Sequence, residues 1–322
     1  MKAVIYKKYG SPDVLRLVEI DKPVPSDNEV LIKIHASMVS AVDCIFRGGK
    51  SFFARLATGP IRPKMKILGA DFAGEIVSVG KGVKQYKKGD RVFGESGNGY
   101  GAYAEYICLK EDAPMTPIPP DMPYDLAAAI PYGALTALPF LRDNGLIKSG
   151  QKVLINGAAG SVGTAAVQFA KYFGAEVAAV CGTRNMKLVK SLGADKVIDY
   201  TKEDFAEGGE TYDIIFDTVG KTIYSHSKKA LKANGRFLVT VISIKILFQM
   251  LWTSRMSCKK AIIAFTGLRP LKDKLKDLNI IRELFETGKI KPVIDRHYQL
   301  DQIAEAHRYD PRIIWWWGNE PC

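Results

Sequence analysis

Three glycines spaced by two residues, Gly157, Gly160 and Gly163, stand between a short apolar run and a helical pattern. The run, residues 153–155 (VLI), reads as a buried parallel strand. Beyond the glycines, residues 164–173 offer Val167, Phe169, Ala170 and Phe173 to one helical face. Strand, glycine turn and helix in that order make a dinucleotide cradle. Glycines let the backbone turn tightly and let a pyrophosphate reach the main chain, and the helix start supplies free N–H groups and partial positive charge. The candidate contacts are Gly157, Ala158, Ala159, Gly160, Ser161, Val162 and Gly163. Against the G-x-G-x-x-G fingerprint, Ala158 takes the first position, and no Lys-Ser/Thr pair follows as in a P-loop. A chance glycine cluster in a turn is the plain alternative.

The elements that must hold this cradle follow in alternation. Residues 176–180 read as a second strand and 185–192 as its helix. Residues 196–199 and 212–217 are two more strands, 221–232 is helical, and 235–241 is a fifth strand. Such alternation predicts a Rossmann-type, doubly wound parallel sheet covered on both faces. Ligands of such sheets lie beyond the carboxyl ends of the strands, where Gly157, Thr183 and residues 217–220 would meet.

The end of the second strand bears on cofactor choice. An NAD site usually holds an acid there for the ribose 2′-hydroxyl. Residues 181–187 (CGTRNMK) have none, but carry the Thr183 hydroxyl, the Arg184 guanidinium and the Lys187 ammonium, which suit a 2′-phosphate. NADP(H) is the expected cofactor. The alternative is that Arg184 and Lys187 are solvated helix charges.

With 322 residues, 47% hydrophobic and 25% charged, the chain has material for two domains and ordinary globular composition. The amino terminus is too short in apolar residues for a signal peptide. Residues 237–252, the most apolar stretch, are interrupted by Lys245 and Gln249 and too short to span a bilayer. Five cysteines without paired spacing fit a reducing, cytoplasmic location. The net charge of +12 raises nucleic-acid or membrane-surface affinity, but no nucleic-acid motif accompanies it. Solvated surface and attraction for a polyanionic cofactor is the simpler reading. Before all this, residues 1–121 are rich in short strands (29–35, 72–80, 89–93, 102–108) and turns, as in an irregular antiparallel barrel. The proline-rich 114–120 marks the expected boundary, giving a first domain over 1–121, a dinucleotide-binding domain over 122–267 and a return to the first domain over 268–322.

Taken together, the opening MKAV, LGADFAG (68–74), KGDRVFG (88–94), YAEY (103–106), AAGSVG (158–163), LGAD (192–195) and FDTVG (216–220) resemble the medium-chain dehydrogenase/reductase superfamily, in its zinc-independent quinone oxidoreductase-like branch. The resemblance runs to about residue 309. It implies a GroES-like irregular β-barrel catalytic domain beside the Rossmann-type domain, with the nicotinamide cofactor bound in the cleft between them. It also implies cofactor contacts at Thr136, the glycine turn, Thr183, Lys187, Tyr200, Thr218, Val219 and Val241. Packing and turn formation are the alternative roles for these residues, and Tyr200 could simply cap the third strand.

Zinc-dependent relatives place a Cys and a His where this chain has Ser40 and Ala70. Alanine cannot ligate and serine is a poor ligand, so no metal is expected. Without a Lewis acid, hydride transfer suits quinones and conjugated enones, whose product anion is delocalised. Ser40 is the candidate catalytic residue, able to donate one hydrogen bond to a substrate carbonyl where zinc-free relatives often have Asn. Asp43 and His35 read as structural. Leu247, Phe248, Met250, Leu251 and Trp252 could line an apolar substrate mouth, or pack in the core or against a second copy; peripheral membrane contact through this stretch and residues 255–260 is a further possibility.

Residues 271–287 are amphipathic and helical. The end, DPRIIWWWGNEPC (310–322), departs from the family, and a disordered or altered terminus is expected, with 313–317 able to pair as a strand and at least one tryptophan facing outward. The leading reading is an NADPH-dependent quinone or enone oxidoreductase, a homodimer by resemblance, with a small-molecule substrate, no nucleic-acid partner and no stable membrane insertion. The alternatives are an NADP-dependent alcohol dehydrogenase and a non-enzymatic NADPH-binding structural or RNA-binding protein.

Overall fold

The computed structural model describes residues 1–309 and 315–317, apart from Ser51, Met65, Asn98, Gly99, Lys221, Ile223 and Phe265. It divides into two units, one of 1–132, 270–286 and 291–322, the other of 133–269 and 287–290. The first unit begins with β1 (Lys2–Ile5), β2 (Arg16–Glu19), β3 (Glu29–Val39), α1 (Ala41–Gly48), α2 (Phe52–Thr58), β4 (Asp71–Val79), β5 (Arg91–Glu95), β6 (Tyr106–Lys110), β7 (Met115–Pro117) and α3 (Tyr124–Ala128). Its border falls at residue 132 and not 121, because α3 packs on β3 and β4.

The helix α4 (Pro131–Pro139) spans the division. The second unit continues with β8 (Lys152–Asn156), α5 (Ser161–Tyr172), β9 (Glu176–Cys181), α6 (Met186–Ser191), β10 (Lys196–Asp199), β11 (Tyr212–Asp217), α7 (Tyr224–Ser227), β12 (Leu231–Val239), α8 (Ile244–Met256) and β13 (Lys260–Ile263). The chain then returns through α9 (Leu271–Glu286), β14 (Arg296–Tyr298), α10 (Ile303–Ala306) and β15 (Trp315–Trp317).

In the first unit β3 is the hub. Its eleven residues pair antiparallel with β4, β6 and β15. Coverage on both faces explains why eight of the eleven are buried and the polar alternation of a solvent-facing strand is lost. Tyr6, Ile32, Ile34, Leu68, Phe72, Val92, Tyr103 and Met115 fill the core, each such side chain contributing on the order of 2 kcal/mol. The predicted strand over 102–108 begins only at Tyr106. Residues 102–104 are buried and instead hydrogen-bond across to Leu68, Gly69 and β1. Trp315–Trp317 pairs with β3 and β14 as a strand. The expectations of disorder at 310–314 and 318–322, and the outward tryptophan, lie outside the described residues.

The second unit is a six-stranded parallel sheet in the order β10-β9-β8-β11-β12-β13. Every strand of it that the sequence predicts is present. Beneath it Leu154, Val180, Ile215, Phe237 and Ile263 share one core, and Phe140 stacks on Phe216 with ring centres 4.9 Å apart. The helix predicted over 221–232 is shorter: α7 is a single turn, and β12 starts at Leu231, already paired to Tyr212. Asn234, at φ +63°, turns the chain within that strand.

Candidate active site

At the carboxyl end of the parallel sheet, Asn156, Cys181, Asp217 and Val239 close β8, β9, β11 and β12. Asn156 is in register with Val180 on one side and Asp217 on the other. The sheet order reverses between β8 and β11, the switch point at which such sheets open a crevice.

The glycine turn fills that point. Gly157, at φ +80°, adopts a backbone that side chains resist, and an added Cβ would strike Val219 and the Thr218 hydroxyl. At Gly163 a Cβ would collide with the Gly157 carbonyl, so α5 lies directly against the turn. The helix begins at Ser161, earlier than predicted, with Gly160 as N-cap and no side-chain cap. The N–H groups of Ser161, Val162 and Gly163 therefore lack helical acceptors. Those of Gly157 and Ala158 donate to the Val180 carbonyl, so these two residues shape the cradle and do not offer donors. Ala158 is fully buried, Ala159 is half-buried, and the buried Ser161 hydroxyl has no partner among the described residues. Such a set of orphan donors at the start of a helix fits a pyrophosphate.

The loop after β11 forms the facing wall. Asp217 is buried and accepts hydrogen bonds from the Asn156 amide and the Val219, Gly220 and Thr222 N–H groups. Burial raises its carboxyl pKa and these donors oppose the shift. The Thr218 hydroxyl donates to the Asn156 carbonyl at 2.9 Å, and Val241 packs against Gly220. Thr136 is half-buried on α4; one turn earlier, Gly133 abuts Ser161.

At the end of β9, Thr183, Arg184 and Lys187 are all exposed. Among the described residues neither Arg184 nor Lys187 has an acidic partner. The exposed Tyr200 ring lies against Gly182, which gives it a wall position beside the same strand end. Sequence reading missed Asp199. It ends β10 beside Cys181, is buried, and accepts the Thr183 hydroxyl at 2.5 Å and the Thr201 hydroxyl at 2.7 Å. Those donors hold its carboxyl below the usual range. Asp199 is thus an internal brace for Thr183, and only the strand register could have exposed it.

In the first unit, Ser40 is 2% exposed and is the N-cap of α1. Its hydroxyl donates to Asp43 Oδ2 at 2.6 Å, and its Oγ accepts the Asp43 N–H. A serine has one proton to give. Here that proton goes to Asp43, which corrects the expectation of a free donor for a substrate carbonyl. Asp43 also accepts the Gly69 N–H at 3.0 Å, fastening α1 to the strand lead that carries Ala70. Burial raises the pKa of Asp43. Asp71 is also fully buried, with no hydrogen bond to either carboxyl oxygen among the described residues. Burial first, then Glu95 and Asp43, push its pKa well up, while Lys274 and the backbone N–H of Tyr132 oppose them. Lys274 itself pairs with Glu95 at 2.8 Å. His35 stacks on Tyr124 at 4.3 Å, in keeping with a structural role. Among the described residues no three His, Cys, Asp or Glu side chains converge as metal ligands. The donor chemistry at Ser40 and Ala70 does not fit a zinc ion.

Comparison with known proteins bears on these observations. Residues 26–120 match the family of alcohol dehydrogenase GroES-like domains and residues 192–309 that of zinc-binding dehydrogenases. The human quinone oxidoreductase is 32% identical over 95% of this chain and 93% of its own length. A chloroplastic NADPH-dependent alkenal/one oxidoreductase of Arabidopsis thaliana is 33% identical over 96% of this chain and 76% of that protein. The structure of the quinone oxidoreductase from Coxiella burnetii superposes with a TM-score of 0.88 at 29% identity, covering 99% of each chain. The chain belongs to the medium-chain dehydrogenase/reductase superfamily, in its quinone oxidoreductase-like group, with a GroES-like and a Rossmann-type unit. It is an NAD(P)H-dependent oxidoreductase. Among the described residues no helix is long and apolar enough to cross a membrane.

Proposed function

We propose that this protein reduces quinones or conjugated enones with NADPH and without zinc. The observation that carries the cofactor choice is the pair of unpartnered cations, Arg184 and Lys187, beside Thr183 at the end of β9. They offer a 2′-phosphate two charges and several donors, while the nearby acid, Asp199, is buried under Thr183 and turned to internal use. Gly157 and Gly163 leave room for the pyrophosphate, and the N–H groups of Ser161, Val162 and Gly163 bind it. Thr136, Thr218, Val219 and Val241 orient the nicotinamide half, and Tyr200 flanks the adenine half.

When bound, the reduced nicotinamide supplies a hydride. The residues present at Ser40 and Ala70 supply no Lewis acid, so the acceptor must carry its own means of spreading charge, as quinones and enones do. The names of the human and Arabidopsis relatives describe acceptors of this kind. Ser40 acts as a positioning residue that holds Asp43 and α1, not as the group that touches the substrate oxygen.

The test is anaerobic NADPH oxidation by EDTA-treated protein with a panel of quinones, enones and simple alcohol–ketone pairs. Acceptor-dependent turnover of the conjugated compounds by metal-free protein, with NADH far weaker, is the expected outcome. Activity that returns only with added zinc, or equal use of NADH, overturns the reading.

A further inference from the structure

The helix α8 is apolar on two opposite sides. Ile246 and the partly buried Leu247 and Met250 face the unit's own core. On the other side Ile244, Phe248, Leu251, Trp252 and Met256 are all more than half exposed, at 67%, 69%, 52%, 53% and 73%. They recur at one-turn spacing, so they form a continuous stripe. Solvent-facing helices ordinarily carry charge there, and a stripe with a large exposed apolar residue in every turn signals a surface that meets something.

The charge pattern says what. From Thr218 to Arg269 the sequence holds ten lysines and arginines and no aspartate or glutamate. Three of the ten, Lys229, Lys232 and Arg269, pair with Glu207, Asp213 and Asp143 from outside the segment. Lys245 and Arg255 are exposed on α8 within or beside the stripe, and neither has an acidic partner among the described residues. The Lys228 ammonium stands 5.8 Å from the centre of the Trp252 ring. Long cationic side chains beside apolar ones can reach upward to phosphate while the apolar groups enter the acyl boundary, and tryptophan favours that level. A second copy docked on the same face would set these unpaired cations against their own kind.

We propose that α8 is a docking surface for membranes rich in anionic phospholipid headgroups, held at the interface without spanning it. The reaction proposed above does not depend on this surface, and the test reads binding alone.

The full chain is sedimented with vesicles of phosphatidylcholine alone and with vesicles containing about a quarter phosphatidylglycerol. At low salt the anionic vesicles carry the protein down and the neutral ones do not; raising salt to about 0.5 M releases most of it. The K245E/R255E and F248S/W252S double variants each weaken partition on the order of tenfold or more, with circular dichroism and melting temperature at parent values. Absence of sedimentation with anionic vesicles, or equal partition of parent and both variants, overturns the proposal. So does a sedimentation-equilibrium result in which F248S/W252S splits a dimer into monomers, since that makes the stripe an interface between copies.

Discussion

The two polar centres of this molecule are made in opposite ways. In the second unit the end of the parallel sheet is built from backbone: glycines that admit a close approach, N–H groups freed by a helix start, and a loop held by Asp217. In the first unit the centre is built from side chains: Asp43 bonded to Ser40, the buried Asp71, and Glu95 with Lys274. A backbone centre depends on what is missing from the side chains, with Asp217 as the one buried carboxyl that fastens its loop. A side-chain centre buries charge, so protons govern it.

The largest expected effect breaks the backbone centre. Gly163→Val forces a side chain into the Gly157 carbonyl, so NADPH affinity in calorimetry should fall roughly hundredfold or more, about 3 kcal/mol, if the variant folds. An unchanged affinity would remove the turn from the cofactor site.

Next comes acid sensitivity in the first unit. His307 is buried beside Arg47 and Cys44; burial first, then Arg47, lowers its pKa to about 3. Between its ordinary value of about 6.5 and about 3, the unfolded chain binds a proton that the folded one refuses. Stability attributable to His307 is therefore full above the ordinary value and is lost as pH falls, by about 1.4 kcal/mol per pH unit at most. Urea unfolding of the parent and of His307→Gln at several pH values isolates it: the gap between them should narrow as pH falls. A gap constant with pH contradicts a neutral buried imidazole.

The cofactor preference is the third test. Arg184→Ala with Lys187→Ala should weaken NADPH about tenfold to thirtyfold and leave NADH nearly unchanged, since in the proposed binding mode only the 2′-phosphate meets these cations. Equal loss for both cofactors would reduce them to general surface charge.

Two smaller effects sharpen the contrast from the first unit's side. Asp71 and Asp43 have raised pKa values, the opposite sign from His307. Their carboxyls hold protons longer in the folded chain, so stability falls as pH rises from about 4. Asp71→Asn relieves a buried carboxyl near Glu95, and should raise stability near pH 7 by about 1 kcal/mol in thermal melts. Ser40→Ala removes the α1 cap and should cost about 1 kcal/mol, with the change in melting temperature outweighing any change in kcat. A large loss of kcat at full stability would return Ser40 to the reaction.

The same contrast decides what could be read from sequence. Gly157, Gly160 and Gly163 are neighbours in the chain, and glycine has few other reasons to recur after a strand, so the strand–turn–helix and the parallel sheet around it were legible. The place of Arg184 and Lys187 just past the end of β9 was legible, because they follow that strand directly. Asp199 was not, since its place beside Thr183 comes from strand pairing between β9 and β10. Nor was the cluster of Asp43, Asp71, Glu95 and Lys274. Its members are spread over more than two hundred positions and meet only when α9 returns to the first unit. The hydrogen bond of Ser40 to Asp43 was not legible either, because a hydroxyl looks the same in sequence whether its proton faces a substrate or Asp43. The helix expected over 221–232 failed where pairing of Leu231 with Tyr212 outweighed local pattern.

Quinones and enones, the acceptors proposed here, alkylate protein thiols, and only the thiolate attacks them at a useful rate. Cys44 is pushed up to about 12 by burial and Asp43, and Cys181 up to about 11 by burial and Asp199; Cys108 is raised as well. At neutral pH these three sulfurs stay protonated, while Cys258 stands exposed. Packing that serves the two cores thus shields these three thiols from such acceptors, and among the described cysteines adducts after long exposure should collect at Cys258.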